Sequence, residues 1–182
     1  MKLKNILSSA ITFLLYAFLF TSCEEKEKVW TELPPATQTG ANTIGCLVDG
    51  QLWATGKIKS NYFSPSMIAN YTIYPDSAKL YITINGRNGA ISFFMNNPKI
   101  GNNTATHIKA KFSFKSDCEI FEKDTIGVIK ITKLETNPSP NYTSTSGIIS
   151  GTFSCQLPCE NNPTDIINIT DGRFDLVLST QR

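Results

Sequence analysis

His107 is the only histidine in the chain, so any Ser-His-Asp or Cys-His catalytic unit would have to be built on it. It opens a run in which Ile108, Ala110, Phe112 and Phe114 face one way. His107, Lys109, Lys111 and Lys115 face the other, which makes it an exposed strand histidine. The chain holds no G-x-S-x-G elbow, and metal chemistry that needs two or three histidines is excluded. Carboxylates offer a second route, because a glycosidase needs two of them at ~5–9 Å. Asp171 and Asp175 are close in sequence, with Asp165 and Glu160 upstream. Asp171-Gly172 is better explained as turn chemistry, however, and Asp175 as an outward strand residue. Asn161, Asn162, Asp165 and Asp171 could gather around calcium, but nothing has EF-hand spacing. Asn85-Gly86-Arg87-Asn88-Gly89 is rich in glycine yet precedes a strand, so it is a turn and not a phosphate loop. No catalytic residue, metal or cofactor is expected.

The remaining chemistry is that of thiols and rings. Cys46, Cys118, Cys155 and Cys159 form an even set, compatible with disulfides in three connectivities or with small buried hydrophobes. Alternation puts Cys46 and Cys155 on apolar faces, which suits burial or a bridge across the sheet. Only Cys155 and Cys159 are close, whereas a four-cysteine zinc site shows two close pairs. Trp53, Tyr62, Phe63, Tyr71, Tyr74 and Tyr81 could stack on sugars or anchor a protein partner, or pair across strands in the core. Tyr62 and Phe63, flanked by Ser60, Asn61, Ser64 and Pro65, are the best loop candidates for ligand contact.

A fifth cysteine, Cys23, has a different setting. Lys2 and Lys4 make a basic start, residues 6–20 are largely apolar, and small residues precede Cys23. This resembles a bacterial lipoprotein signal, with Cys23 acylated and residues 1–22 removed. Phe20 stands where Leu, Val or Ile is usual. The apolar run is shorter than the ~20 residues a spanning helix needs, and Glu24-Glu25 follows it in place of a basic stop. The expected partner is therefore membrane lipid, through Cys23. The acidic run Glu24-Glu25-Lys26-Glu27-Lys28 resembles the export signal for the outer face of the outer membrane; the alternative is a solvated spacer.

Lys2 and Lys4 leave with the signal, so 15 basic residues face 15 acidic ones in the mature chain. A neutral body gives no electrostatic reason to expect nucleic acid. Residues 23–42 read as a lipidated flexible tether, with Pro34-Pro35 and a small polar stretch to Gly40, holding the body on the order of 25 Å from its anchor.

From residue 43 to 182 the period is two, which predicts a single all-β domain. Asp49-Gly50 joins strands 43–48 and 51–55 as a hairpin. Further strands are expected at 69–74, 78–84, 90–95, 107–115, 118–123, 126–134 and 149–157, and around an Asp171-Gly172 turn. Residues 96–103 and 137–141 are loops by turn chemistry. Nine or ten short strands imply an antiparallel β-sandwich, with a closed lipocalin-like β-barrel as the alternative. Asp76-Ser77-Ala78 and Asp124-Thr125-Ile126 lie at turns and resemble a three-residue O-glycosylation signal, which would modify Ser77 and Thr125.

Four stretches resemble an uncharacterised family of lipoproteins from Bacteroidota. They are Glu32 to Gly40, Asn42 to Gly50 with Trp53, Ser150 to Ser154, and Ile169 to Asp175. The resemblance implies a lipid-anchored all-β domain and brings no catalytic motif. The expected function is a non-catalytic binding or envelope-structural module. A carrier of an apolar ligand and a carboxylate-dependent surface glycosidase are the alternatives.

Overall fold

The computed structural model describes residues 30–55, 67–86, 88–115, 119–123, 126–137 and 144–181. These are all-β apart from one 3-10 turn at Ser113–Lys115. Eleven strands form: β1 (Thr43–Val48), β2 (Gln51–Thr55), β3 (Met67–Tyr74), β4 (Ser77–Gly86), β5 (Gly89–Asn96), β6 (Gly101–Asn103), β7 (His107–Phe112), β8 (Glu119–Lys123), β9 (Ile126–Asn137), β10 (Ser144–Pro158) and β11 (Ile166–Gln181). The addition to the expected set is β6, three residues inside the predicted loop 96–103.

The strands join in one strongly curled sheet of order β6-β9-β10-β11-β3-β4-β5-β7-β8, with the β1–β2 hairpin attached through β1 to β11. All of these pairs are antiparallel except one. Ser179–Gln181 of β11 runs parallel to Asn70–Thr72 of β3, so the sheet is mixed. The β1 pairing reaches along β11 as far as Asp175, where Thr43 stands, and the β3 pairing takes over from Ser179 on the same flank. The amide of Val177 falls in the gap and donates to Asn42 Oδ1 at 2.9 Å. The Asp49-Gly50 hairpin forms as expected, with positive φ at both residues (49° and 81°). Its tip is held down: Asp49 meets Lys115 Nζ at 2.7 Å and accepts from the Asn168 amide at 2.9 Å.

Curling brings the half containing β1, β9, β10 and β11 over the half containing β3, β4, β5 and β7. Phe93 of β5 meets Phe153 of β10 edge-on at 4.8 Å, and Trp53 of β2 meets Phe112 of β7 at 5.5 Å. One apolar cluster fills the interior, with Ile44, Leu80, Ile82, Ile84, Ile91, Ile131 and Ile149 wholly buried.

The predicted turn at Asp171-Gly172 is not a turn. Both flanks belong to β11, which passes between β1 and β10 without reversing. Against either neighbour, β11 spends one extra residue between Ile169 and Arg173. Asp171 takes φ +53° in this bulge. The extra residue explains the sequence pattern: Ile167 and Ile169 point inward before it, Phe174, Leu176 and Leu178 after it. Without the bulge, half of that apolar set would face outward. Gly172 is required there, since a Cβ would lie 2.5 Å from the Phe153 carbonyl and 2.6 Å from its ring. β9 makes the same correction at Thr132, shifting from Ile129 and Ile131 to Leu134.

Candidate functional site

The outer face of β3-β4-β5-β7 is built by strict alternation. Leu80, Ile82 and Ile84 of β4 and Ile91, Phe93 and Met95 of β5 turn inward. Their neighbours must turn outward, and the register decides which of them meet. Asn70 stands opposite Tyr81, Tyr81 opposite Phe94, and Phe94 opposite His107. One continuous row therefore crosses four strands and carries three rings and an amide. Tyr81 is 43% exposed, and the Phe94 and His107 rings lie 5.8 Å apart, tilted by 31°. Tyr74 is 45% exposed and has Lys79 Nζ 5.4 Å from its ring centre. On the flanking rows Thr83 and Ser92 share a hydrogen bond at 3.0 Å, and Asn96 donates to Thr106 at 3.4 Å. These groups can stack on a ring and hydrogen-bond its substituents. The row contains no acid–base pair.

A second site lies on the outside of the other half, and its groups are occupied. Asp175 of β11 is only 1% exposed although its side chain leaves the outer face. Residues 34–42 cover it. Its Oδ2 accepts from the Thr37 hydroxyl at 2.5 Å, the Thr39 amide at 3.0 Å and hydroxyl at 3.3 Å, and the Ala41 amide at 3.1 Å. Its Oδ1 accepts from the Gly40 amide at 2.9 Å and from Ser150 of β10 at 2.7 Å. Burial pushes this carboxyl up, but the hydroxyls of Thr37 and Ser150 and the amides of Ala41 and Gly40 outweigh it. Asp175 is held well below the usual carboxylate range. Pro34 is buried, its carbonyl accepts from Arg173 at 3.1 Å, and it packs where a Cβ on Gly45 would lie, 2.5 Å away. Lys133 donates to the Gln38 carbonyl at 3.0 Å.

The expected flexible tether through residue 42 is thus corrected: from Pro34 onward the chain is a strap bound to the sheet. Its lack of apolar periodicity hid this, because hydrogen bonds and the buried Pro34, not an apolar stripe, hold it. Two stretches quoted above for their resemblance, 32–40 and 169–175, meet in this latch. Asp175 does lie on the outward side, as alternation predicts. Both of its oxygens are committed to the strap and Ser150, so it is not poised as one of two catalytic carboxylates.

Cys46 and Cys155 are free and buried. Burial, followed by the neighbouring Cys155 thiol, pushes Cys46 up to about 12, and burial does the same to Cys155. The bridge across the sheet does not form. The two cysteines flank β11 on opposite sides, two strand spacings or roughly 10 Å apart, beyond the ~7 Å that a disulfide tolerates. Cys159 is disulfide-bonded. Ser77 is exposed at the start of β4. Cys23, Tyr62, Phe63, Cys118 and Thr125 lie outside the described residues, as does the predicted signal. Among the described residues no group of three or more His, Cys, Asp or Glu gathers as a metal site. Sequence reasoning placed His107 on the lysine-bearing face but missed its neighbours, because register across four strands is a tertiary property.

Compared with family models, curated proteins and solved structures, the chain matches none.

Proposed function

We propose that this chain is a lipid-anchored, non-catalytic binding module of the cell envelope, and that the outer face of β3-β4-β5-β7 is its contact surface. The observation that carries the reading is the cross-strand row Asn70–Tyr81–Phe94–His107. Partly exposed rings in register form a platform, and sugar rings stack on aromatic rings while hydrogen-bonding their edges. The interior supports the same choice: the Phe93, Phe153 and Phe174 rings meet there, which favours a ligand held outside over one carried within. The address comes from the sequence, where Cys23 is the acylated residue and Glu24-Glu25 directs the protein outward across the outer membrane. The resemblance to Bacteroidota lipoproteins supports that address.

The test is binding of the mature lipoprotein, in detergent, to an immobilised glycan panel, with Tyr81→Ala as the comparison. Retained glycans whose signal falls in the variant at an unchanged melting temperature are the expected result. An empty panel, or equal binding by the variant, would overturn the reading. Protease shaving of intact cells checks the address, and a protected protein would put the face on the periplasmic side.

A further inference from the structure

We infer that the strap orients the domain on its membrane, turning the Asp175 face toward the bilayer and the Asn70–Tyr81–Phe94–His107 row away from it; the inference rests on the lipid anchoring proposed above. Pro34 is the strap's first fixed point. It lies over Gly45, which stands in register with Ala54 of β2 and Arg173 of β11, and its carbonyl accepts from Arg173. Ile44 and Cys46 on either side are buried inward, so position 45 looks outward and Pro34 sits on the outer face. From there the strap follows β11, past Asp175 to Asn42, which takes the Val177 amide. Lys133 of β9 holds it from the same side. The inner face of this half meets the inner face of the other where Phe93 touches Phe153. The outer faces of the two halves, one with the strap and one with the row, therefore point in opposite directions.

Chain length turns this arrangement into an orientation. Between Cys23 and Pro34 the backbone takes eleven steps, so even fully extended it reaches about 40 Å. A folded body of residues 34–182 has a radius of gyration of about 15 Å, which corresponds to a sphere of about 19 Å radius. To lay the row on the bilayer, the chain would have to pass round a quarter of that sphere and then down one radius, about 49 Å. It falls short. Trp30 and Leu33 are half-buried, and any hold upstream of Pro34 shortens the reach further. A chain free as far as Thr43 would take twenty steps and reach about 72 Å, enough for either face to meet lipid. Binding the strap therefore decides which side of the domain is presented to a partner.

The experiment places the mature lipoprotein in nanodiscs that carry a gadolinium-chelating lipid and reads the relaxation of backbone amides. With the two layers ~10 Å apart, amides about 20 and 30 Å from the metal differ about tenfold in an effect that falls as the sixth power of distance. Lys130, Thr152 and Arg173 should relax about tenfold faster than Tyr81 and Phe94. Ten Gly-Ser residues inserted after Lys28 lengthen the reach without touching the strap, and should bring the two sets within about twofold. Equal relaxation of both faces in the parent chain, or faster relaxation of the row, would overturn the orientation and leave the binding reading standing. A tenfold contrast that survives the insertion would overturn the strap's part in it. A chain that does not join the nanodisc through Cys23 would overturn the inference together with the anchoring beneath it.

Discussion

Replacing Asp175 with Asn removes one charge and turns one acceptor oxygen into a donor that confronts the strap's own donors. The six hydrogen bonds to this carboxylate, if each contributed the ~1.5–3 kcal/mol of a charge-assisted bond, would sum beyond the ~5–15 kcal/mol that holds a typical domain together. That sum cannot be the cost, because five of the six donors belong to residues 37–41 and can lift away into water. Ser150 cannot follow, being wholly buried, and an unmatched buried hydroxyl costs about 1–3 kcal/mol. Exposure of Pro34 and loss of the Arg173 contact add about 1 kcal/mol. The expected destabilisation is therefore about 3 kcal/mol, or a melting temperature lower by roughly 10 °C. Amide exchange of Thr39, Gly40 and Ala41 supplies the specific readout: slow in the parent chain, close to coil rates in the variant. The folded carboxyl titrates below its unfolded value of ~3.9, so its stabilisation is complete above about pH 5 and is lost as pH falls through and below ~4. The gap between parent and Asp175→Asn should accordingly narrow in acid. Melting within 2 °C of the parent, with those three amides still protected at neutral pH, would refute the latch.

Gly172→Ala forces a methyl against the Phe153 carbonyl and ring, and should cost about 2–3 kcal/mol in urea unfolding; a midpoint equal to the parent's would mean that the bulge relaxes freely. Cys46 and Cys155 should resist alkylation at pH 8 until denaturant is added, read by intact mass, and rapid native labelling would contradict their burial. Cys23→Ala should move the protein from the membrane fraction to the soluble one, and retention on membranes would remove the acylation reading. Glu24 and Glu25 replaced by Ala should lower exposure to external protease if they form an address, while unchanged shaving would leave them a spacer.

The strands were legible because burial alternates so cleanly: Ile108, Ala110 and Phe112 of β7 or Leu80, Ile82 and Ile84 of β4 admit no other reading. The error at Asp171-Gly172 has a physical source. A hairpin turn and a bulge both call for a positive φ, and local chemistry does not say whether the chain reverses afterwards. The deciding fact lay in β10, whose unbroken apolar series from Ile149 to Leu157 needs a partner of equal length. The strap was illegible for another reason, since its anchor at Asp175 is more than 130 residues away and nothing in a Pro-Pro-Ala-Thr stretch announces a distant carboxylate. The cross-strand row shares that difficulty. Asn70, Tyr81, Phe94 and His107 are ordinary outward residues one strand at a time, and they become a platform when four registers are set together.

β11 comes last among the described strands yet lies in the middle of the sheet, touching β1, β3 and β10 and receiving the strap. The first hairpin is therefore made some 120 residues before its neighbour exists. Assembly of the sheet waits for β11, and loop closure over such separations makes it slow. A chain that stops before β11 therefore has no centre, and proteases meet it as waste.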